Sequence, residues 1–459
     1  MKLYKVLTNL LSLIPLALSA QNADQRINEL LGCEDWFALN REYSEVKDSI
    51  QSDVLKSMTE TMLAAYFNRL EELGGNLKTL IDNHSEEIGL QNICNMLTLG
   101  AIAEGSNGRY SLAADMIESV IDRIIAAGGS IEGTGLDGTY EYFNAVRDLP
   151  APSISMRRKS VKMPFSIKDI PASESASEEM KQKMAGKSNV MWLPVSINGK
   201  KYEFILDTGA SYSALSKSFA EEIGAEFVRD TIDLHGANHS GGTRTQRALI
   251  RQMNIGGMDV NNILAYVLSD NQLDTLVRTD AILGMDFLKL AGNISIDFKR
   301  SVVIFGHVER KSNGLIPNLY IEPNNTICLS ADINNEQQNL KLDTGCTMTD
   351  LAYIWYCTHK DSTSNLEKSN VLLGTYGSTE KKGLLSMPEV SFKVDGKRAI
   401  LHNVLIHTTP DGNQHSGTVG LELLRKFRKV DINLRDMTLM VEWRKINFTK
   451  FRSCFDLFV

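Results

Sequence analysis

Apolar residues recur at two different periods along the chain, and the change of period divides it. Up to about residue 150 they return every three to four positions. Leu55, Met58, Met62 and Tyr66 form one series, and Leu112, Met116, Ile117, Val120, Ile121 and Ile124 another. That spacing places them on one face of a helix. Gly74-Gly75, Gly105-Ser106-Asn107-Gly108 and Gly128-Gly129 lie between such series and predict breaks. Helices of roughly 15 to 20 residues joined by short turns predict an all-α array of helical hairpins over residues 22–150. From about residue 190 the period becomes two. Val195-Ser196-Ile197, Asn198-Gly199 and Tyr202-Glu203-Phe204-Ile205-Leu206 read as two strands around a tight turn, and further short β-runs follow. The expected fold class is multidomain, with an N-terminal all-α helical-hairpin domain and a mainly-β C-terminal part.

Charge follows the same division. The 459 residues carry a formal charge of −7. Residues 22–150 hold 9 basic and 22 acidic residues, 151–190 hold 8 and 4, and 191–459 hold 30 of each. Neutralising a phosphate backbone needs a cation surplus, so no nucleic-acid partner is expected. The acidic helical face is a solvated surface, with a protein partner as the alternative use. Residues 151–190 contain Arg157-Arg158-Lys159 and Ser173-Glu174-Ser175-Ala176-Ser177 but few large apolar side chains. They read as a flexible, protease-sensitive linker, with one added strand over 161–170 as the alternative.

The first twenty residues have their own pattern. Lys2 and Lys5 precede a short apolar stretch from Val6 to Leu18, and Leu18-Ser19-Ala20 ends in a small residue before Gln21. This predicts a signal peptide over 1–20 and an exported protein, periplasmic or extracellular. Gln21 stands where a lipidated cysteine would be needed, so a soluble product is expected. No later apolar run reaches about 18 residues, so no integral membrane span is expected after signal removal. Six cysteines are too few for a disulfide scaffold in so long a chain, and their spacing matches no zinc motif. Cys346 with Cys328 or Cys357, and Cys33 with Cys94, are the pairings left open. No His-Glu-x-x-His pair, Gly-x-Ser-x-Gly elbow or phosphate loop occurs, and His402 and His407 read as packing or surface residues. Neither a metal nor a cofactor is expected.

The chemistry lies in a repeat. Asp207-Thr208-Gly209 and Asp343-Thr344-Gly345 are 136 residues apart. The same offset relates Ile197-Asn198 to Ile333-Asn334, Gly241 to Gly377, Leu283-Gly284 to Val419-Gly420, and Ile296 to Ile432. One Asp-Thr-Gly is an ordinary turn, but two inside one duplication are a signal. Two carboxylates held together cannot both ionise cheaply, so they share a proton. Such a pair can deprotonate a water and protonate a carbonyl, which is what peptide hydrolysis without a metal or covalent nucleophile requires. Apolar strands, Phe204-Ile205-Leu206 and Leu340-Lys341-Leu342, would hold each aspartate at a strand end. Gly209 and Gly345 would let the backbone turn, and Thr208 and Thr344 would bond across a two-fold axis.

This constellation resembles the aspartic proteases, specifically the bacterial, single-chain retropepsin-like branch, over about residues 190–445. The resemblance implies a bilobal protease built of duplicated lobes, 191–310 and 311–447. It makes Asp207 and Asp343 catalytic, acting on an extended peptide or protein substrate. Ile282-Leu283-Gly284 and Thr418-Val419-Gly420 become the segments that support the active loops, with Thr418 departing from the family's apolar first position. The implied flaps are 236–242, including Gly236, Asn238 and Gly241, and 374–378, including Gly374, Tyr376 and Gly377. Ala210 and Cys346 stand where pepsin-like relatives carry a hydroxyl, so the carboxylates receive fewer hydrogen bonds and activity is expected at weakly acidic to neutral pH. The alternative is a catalytically inactive peptide-binding or scaffold protein of the same shape. In the helical part, Gly100, Ala103, Tyr110 and Ala113 resemble a tetratricopeptide repeat.

Overall fold

The computed structural model describes residues 23–172, 177–186, 188–229, 232–235, 242–268, 279–306, 316–375 and 378–443. The N-terminal region is helical: α1 (Ala23–Gly32), α2 (Trp36–Val46), α3 (Asp53–Tyr66), α4 (Leu70–Ser106), α5 (Tyr110–Ala126) and α6 (Leu136–Asn144). Side-chain caps start two of them: Asp35 accepts from the Ala38 amide and Ser52 from the Leu55 amide. Gly74-Gly75 does not break the chain, as the sequence suggested, but lies inside α4. Each glycine costs a helix about 1 kcal/mol, and burial of Leu73, Leu77 and Leu80 on the same turns offsets it. The break in α4 falls instead at Gly89, whose φ of 73° is left-handed.

The stretch read as a linker is built into sheets. It contains β1 (Ser153–Met156), β2 (Ser160–Pro164) and β3 (Ser166–Asp169). Val161, Met163 and Phe165 are buried while Lys162 and Pro164 are exposed, a period-two pattern that the neighbouring basic run obscures in the sequence. The flexible hinge and the single strand expected over 161–170 are therefore replaced by three short strands.

The first β unit contains β4 (Asn189–Ile197), β5 (Lys200–Leu206), β6 (Ala214–Ser216), β7 (Glu226–Phe227), β8 (Ile232–His235), β9 (Gly242–Ile255), β10 (Met258–Leu268), β11 (Ala281–Leu283), β12 (Asn293–Asp297) and β13 (Val302–Gly306). The second contains β14 (Leu319–Ile321), β15 (Ile327–Ile333), β16 (Glu336–Leu342), β17 (Asp350–Leu351), β18 (Lys368–Thr375), β19 (Ser378–Val394), β20 (Lys397–Ile406), β21 (Gly417–Val419), β22 (Lys429–Asn433) and β23 (Thr438–Glu442). One sheet runs β1-β10-β6-β11-β5-β4-β9-β7, with β3 on β4 and β8 on β9. Another runs β14-β15-β16-β21-β17-β20-β19-β18. A third, five-stranded sheet, β2-β13-β12-β22-β23, takes strands from both units and joins them. Its central pair is antiparallel, Ile294 facing Ile432 and Ile296 facing Val430.

Strand registers recur at the 136-residue offset. In the first unit Ile205 pairs with Ile282 and Leu206 with Leu283, both parallel. In the second, Lys341 pairs with Thr418 and Leu342 with Val419. The tight turn at Asn198-Gly199, with φ of 50° and 77°, has its counterpart at Asn334-Asn335, with 51° and 74°. These positive φ values fit the turn that joins closely paired strands, which is why the sequence signal was readable.

The helical region packs on both units. Phe37 and Tyr66 lie against Tyr320, with ring centroids 4.9 and 6.0 Å apart, and Asn68 donates to the Leu434 carbonyl. On the other unit, the Tyr142 hydroxyl meets that of Tyr266 at 2.9 Å, and the buried Arg247 guanidinium stacks on Tyr142 and donates to its carbonyl. Among the described residues, no helix is long and apolar enough to cross a membrane.

Candidate active site

Each Asp-Thr-Gly triplet leaves the end of a central strand, β5 or β16, and is held there by the strand beside it. The Asp207 amide donates to the Leu283 carbonyl at 3.0 Å, and the Asp343 amide to the Val419 carbonyl at 2.9 Å. Beyond the triplets, Met285 N–H donates to the Ala210 carbonyl and Leu421 N–H to that of Cys346, each at 2.9 Å. This approach leaves no room for a side chain on the supporting strand's glycine. A Cβ on Gly284 would sit 2.8 Å from the Ala210 oxygen, and one on Gly420 would sit 2.8 Å from the Cys346 oxygen. Glycine is dictated here by contact rather than by backbone angle.

The two loops interlock through their threonines. Thr208 N–H donates to Thr344 Oγ1 at 3.0 Å, and Thr344 N–H donates to Thr208 Oγ1 at 2.9 Å. Each hydroxyl passes its own proton on, Thr208 to the Leu342 carbonyl and Thr344 to the Leu206 carbonyl, at 2.9 and 2.8 Å. All four bonds are buried, so each donor and acceptor depends on its partner in the opposite unit. Thr208 and Thr344, expected to bond across a two-fold axis, are brought together in that way.

The carboxyl groups meet above this knot. Asp207 lies over Gly345 and Asp343 over Gly209, each occupying the space where the opposite glycine's Cβ would project. Asp207 Oδ1 accepts from the Gly209 and Ala210 amides at 2.7 and 3.1 Å, and Asp343 Oδ1 accepts from the Gly345 amide at 3.0 Å. Burial, and then the facing Asp343 charge, pushes the Asp207 carboxyl up to about 7, against the pull of Lys341 and the Gly209 amide. A carboxyl still protonated near neutrality beside a second carboxyl can hold one shared proton and can both give and take it.

Lys341 is the residue the sequence reading passed over as part of an apolar strand. Its ammonium lies 3.1 Å from Asp343 Oδ2. Burial pulls its proton affinity down, but Asp343 and Asp207 more than compensate and hold the charge on. The first unit has Ile205 at the matching register position, so the pair of carboxyls is symmetric in backbone and asymmetric in charge. The available signal was a lysine 136 residues after a buried isoleucine. Also unread was the support behind Gly284: its amide donates to Ser213 Oγ, which donates to Asp286 at 2.9 Å. Thr349 takes the equivalent place behind Gly420.

Of the other expected site residues, Leu283 and Val419 are buried beside the aspartates as supports. Gly374 lies on β18 facing Thr379 of β19, near the end of a hairpin. Strands β8 and β9 form the corresponding hairpin in the first unit. Gly236, Asn238, Gly241, Tyr376 and Gly377 lie outside the described residues. Cys346 donates its thiol to the Met348 carbonyl at 3.2 Å rather than to a carboxylate, and burial, then Asp343, pushes that thiol up. Cys33, Cys94, Cys328, Cys346 and Cys357 are all free thiols, so none of the pairings left open is formed.

Residues 193–290 match the family model described as "gag-polyprotein putative aspartyl protease". The match covers the first Asp-Thr-Gly and its supporting strand and stops short of the second. No match is found among the curated proteins compared. Among solved structures the chain is similar to basic 7S globulin from soybean, at 10% identity over 66% of this chain and 99% of that one, with a TM-score of 0.39. It is also similar to conglutin gamma, a unique basic 7S globulin from lupine seeds, at 10% identity over 63% and 96%, with a TM-score of 0.36. The family-model match alone indicates an aspartyl protease domain over residues 193–290, in the first β unit.

Proposed function

We propose that this chain is an aspartic endopeptidase whose two β units are copies of one retropepsin-like lobe, each supplying one carboxylate. The reading rests on one observation: Asp207 and Asp343 each lie over the other loop's glycine, above a reciprocal pair of threonine bonds. In this scheme the pair titrates as a unit, with its shared proton favoured on Asp207 because Lys341 pairs with Asp343. Asp343 takes a proton from the attacking water as the new C–O bond forms, and Asp207 protonates the substrate carbonyl oxygen. Collapse of the tetrahedral intermediate then breaks the C–N bond, the nitrogen taking the proton from Asp343 and the hydroxyl returning its proton to Asp207. The hairpins β8–β9 and β18–β19 would close over an extended peptide. The N-terminal signal supports export to the periplasm or the extracellular space.

A second reading, a peptide-binding protein that does not cut, is favoured by the Lys341–Asp343 ion pair, which occupies one carboxylate oxygen. Cleavage of a random peptide library separates the two. Under the first reading the wild type cuts and Asp207→Asn, folded by circular dichroism, is slower by at least about a thousand-fold. Binding without cleavage, or equal cleavage by the variant, overturns the dyad.

A further inference from the structure

Away from the aspartates, three side chains that bind metals converge in the second β unit. Glu322 follows β14, Cys328 is on β15, and His415 lies just before β21. Each offers one ligand atom within 4.8 Å of the other two. Cys328 is fully buried, His415 is 8% exposed, and the Glu322 side chain is 14% exposed. The sequence could not show this group, because its members are spread over 93 residues in no motif spacing.

The arrangement of the three atoms is informative. His415 Nε2 lies 3.4 Å from Cys328 Sγ and 3.2 Å from Glu322 Oε1. In a nucleophile–histidine–acid relay the thiol and the carboxylate would sit on opposite ring nitrogens. Here both lie nearest the same nitrogen, with the sulfur also 3.9 Å from Nδ1, so the three side chains form a cluster and not a line through the ring. Zinc bonds of about 2.3 Å to sulfur and about 2.0–2.1 Å to nitrogen or oxygen give tetrahedral edges of about 3.3–3.6 Å. The two separations are close to those edges. The ligand types agree as well, because thiolate and imidazole select zinc-like dications over magnesium or calcium.

The surroundings carry charge of both signs: Glu322 and Glu34, and Lys341, which pairs with Cys328 in register and pulls its thiol down. Burial, then the Glu322 charge, pushes up both the Cys328 thiol and the carboxyl of Glu34, which reaches this corner from the turn between α1 and α2. Tyr320 hydrogen-bonds to the Cys328 sulfur and packs on Phe37 and Tyr66. The site thus sits where the helical region meets the second unit.

We infer that Glu322, Cys328 and His415 form a binding site for a zinc-like divalent transition metal, with a fourth position open to water. Binding converts the thiol to a thiolate and releases one proton to solvent, so affinity rises with pH.

The test uses the full chain without an affinity tag, stripped with a chelator and titrated with Co(II) and Zn(II). About one equivalent should bind, with a thiolate-to-cobalt charge-transfer band that Zn(II) abolishes by displacement. Cys328→Ser should lose the band, and His415→Gln should weaken binding at least about ten-fold. Cys357→Ser, which removes an exposed thiol, should change neither. A stripped wild-type protein that binds neither ion overturns the inference, as does a charge-transfer band that survives in Cys328→Ser. Should that variant fail to fold, the wild-type cobalt spectrum decides, and binding without a sulfur-to-metal band refutes the site.

Discussion

Replacing Lys341 with isoleucine, the residue at the matching place in the first unit, isolates the charge asymmetry of the carboxyl pair. Ile205 is buried at that register without disturbing the strand, so the substitution is compatible with the fold. At 3.1 Å and an effective dielectric of about 20, one ammonium–carboxylate contact is worth at most about 5 kcal/mol. Water reaches 22% of the Lys341 side chain, and the charge is shared between two carboxyls. The realised effect is therefore taken as about one to two pH units, within the range that an opposite charge at such a distance produces. The sign follows from Lys341 favouring the ionised carboxyls: without it, protons are held to higher pH. On the proposed mechanism the alkaline limb of kcat/KM is expected near 7 from Asp207, and it should move upward by that amount on a fluorogenic peptide taken from the library. A carboxyl-selective NMR titration gives the same readout without turnover. A limb that stays in place, or moves to lower pH, refutes the role given to the lysine.

Other outcomes follow from the same geometry. Thr208→Val leaves the Thr344 amide and the Leu342 carbonyl buried without their partner; it should cost about 2–4 kcal/mol in urea denaturation, and the Thr208→Val/Thr344→Val double variant should cost less than the sum. Gly420→Ala drives a Cβ into the Met348 carbonyl and crowds that of Cys346, so both stability and cleavage should fall, and a wild-type melting temperature would contradict the packing. Asp207 is raised in the native state, so between about 4 and about 7 the folded chain binds more protons than the unfolded one. Its contribution is full below about 4 and is lost as pH rises through about 7; the slope of melting temperature against pH in that window should flatten in Asp207→Asn. Phe37→Ala opens the contact with Tyr320 and should destabilise by about 3–5 kcal/mol, in a single transition if the helical region and the second unit unfold together.

The aspartates, threonines and supporting glycines were legible because they recur at a fixed offset, and a repeat survives even where one copy is imperfect. The period-two pattern and Asn198-Gly199 likewise gave the hairpin, since both are local. What escaped depends on neighbours distant in sequence. Lys341 read as a blemish in an apolar strand until Asp343 was seen beside it. The strands at 153–169 were hidden by adjacent basic residues, although Val161 and Met163 alternate correctly. Gly74-Gly75 signalled a break that the buried leucines around it overrode, and Gly89 supplied the kink instead. Glu322, Cys328 and His415 have no local signature and come together only through the sheet.

The sheet shared between the two units has a consequence for synthesis. Ile294 and Ile296 on β12 have no neighbour on one side until β22, residues 429–433, has been made. A ribosome must therefore reach residues 429–433 before the first unit can seal its base against the second. A nascent chain cut short before that point can hold both Asp207 and Asp343 and still leave one edge of β12 unpaired.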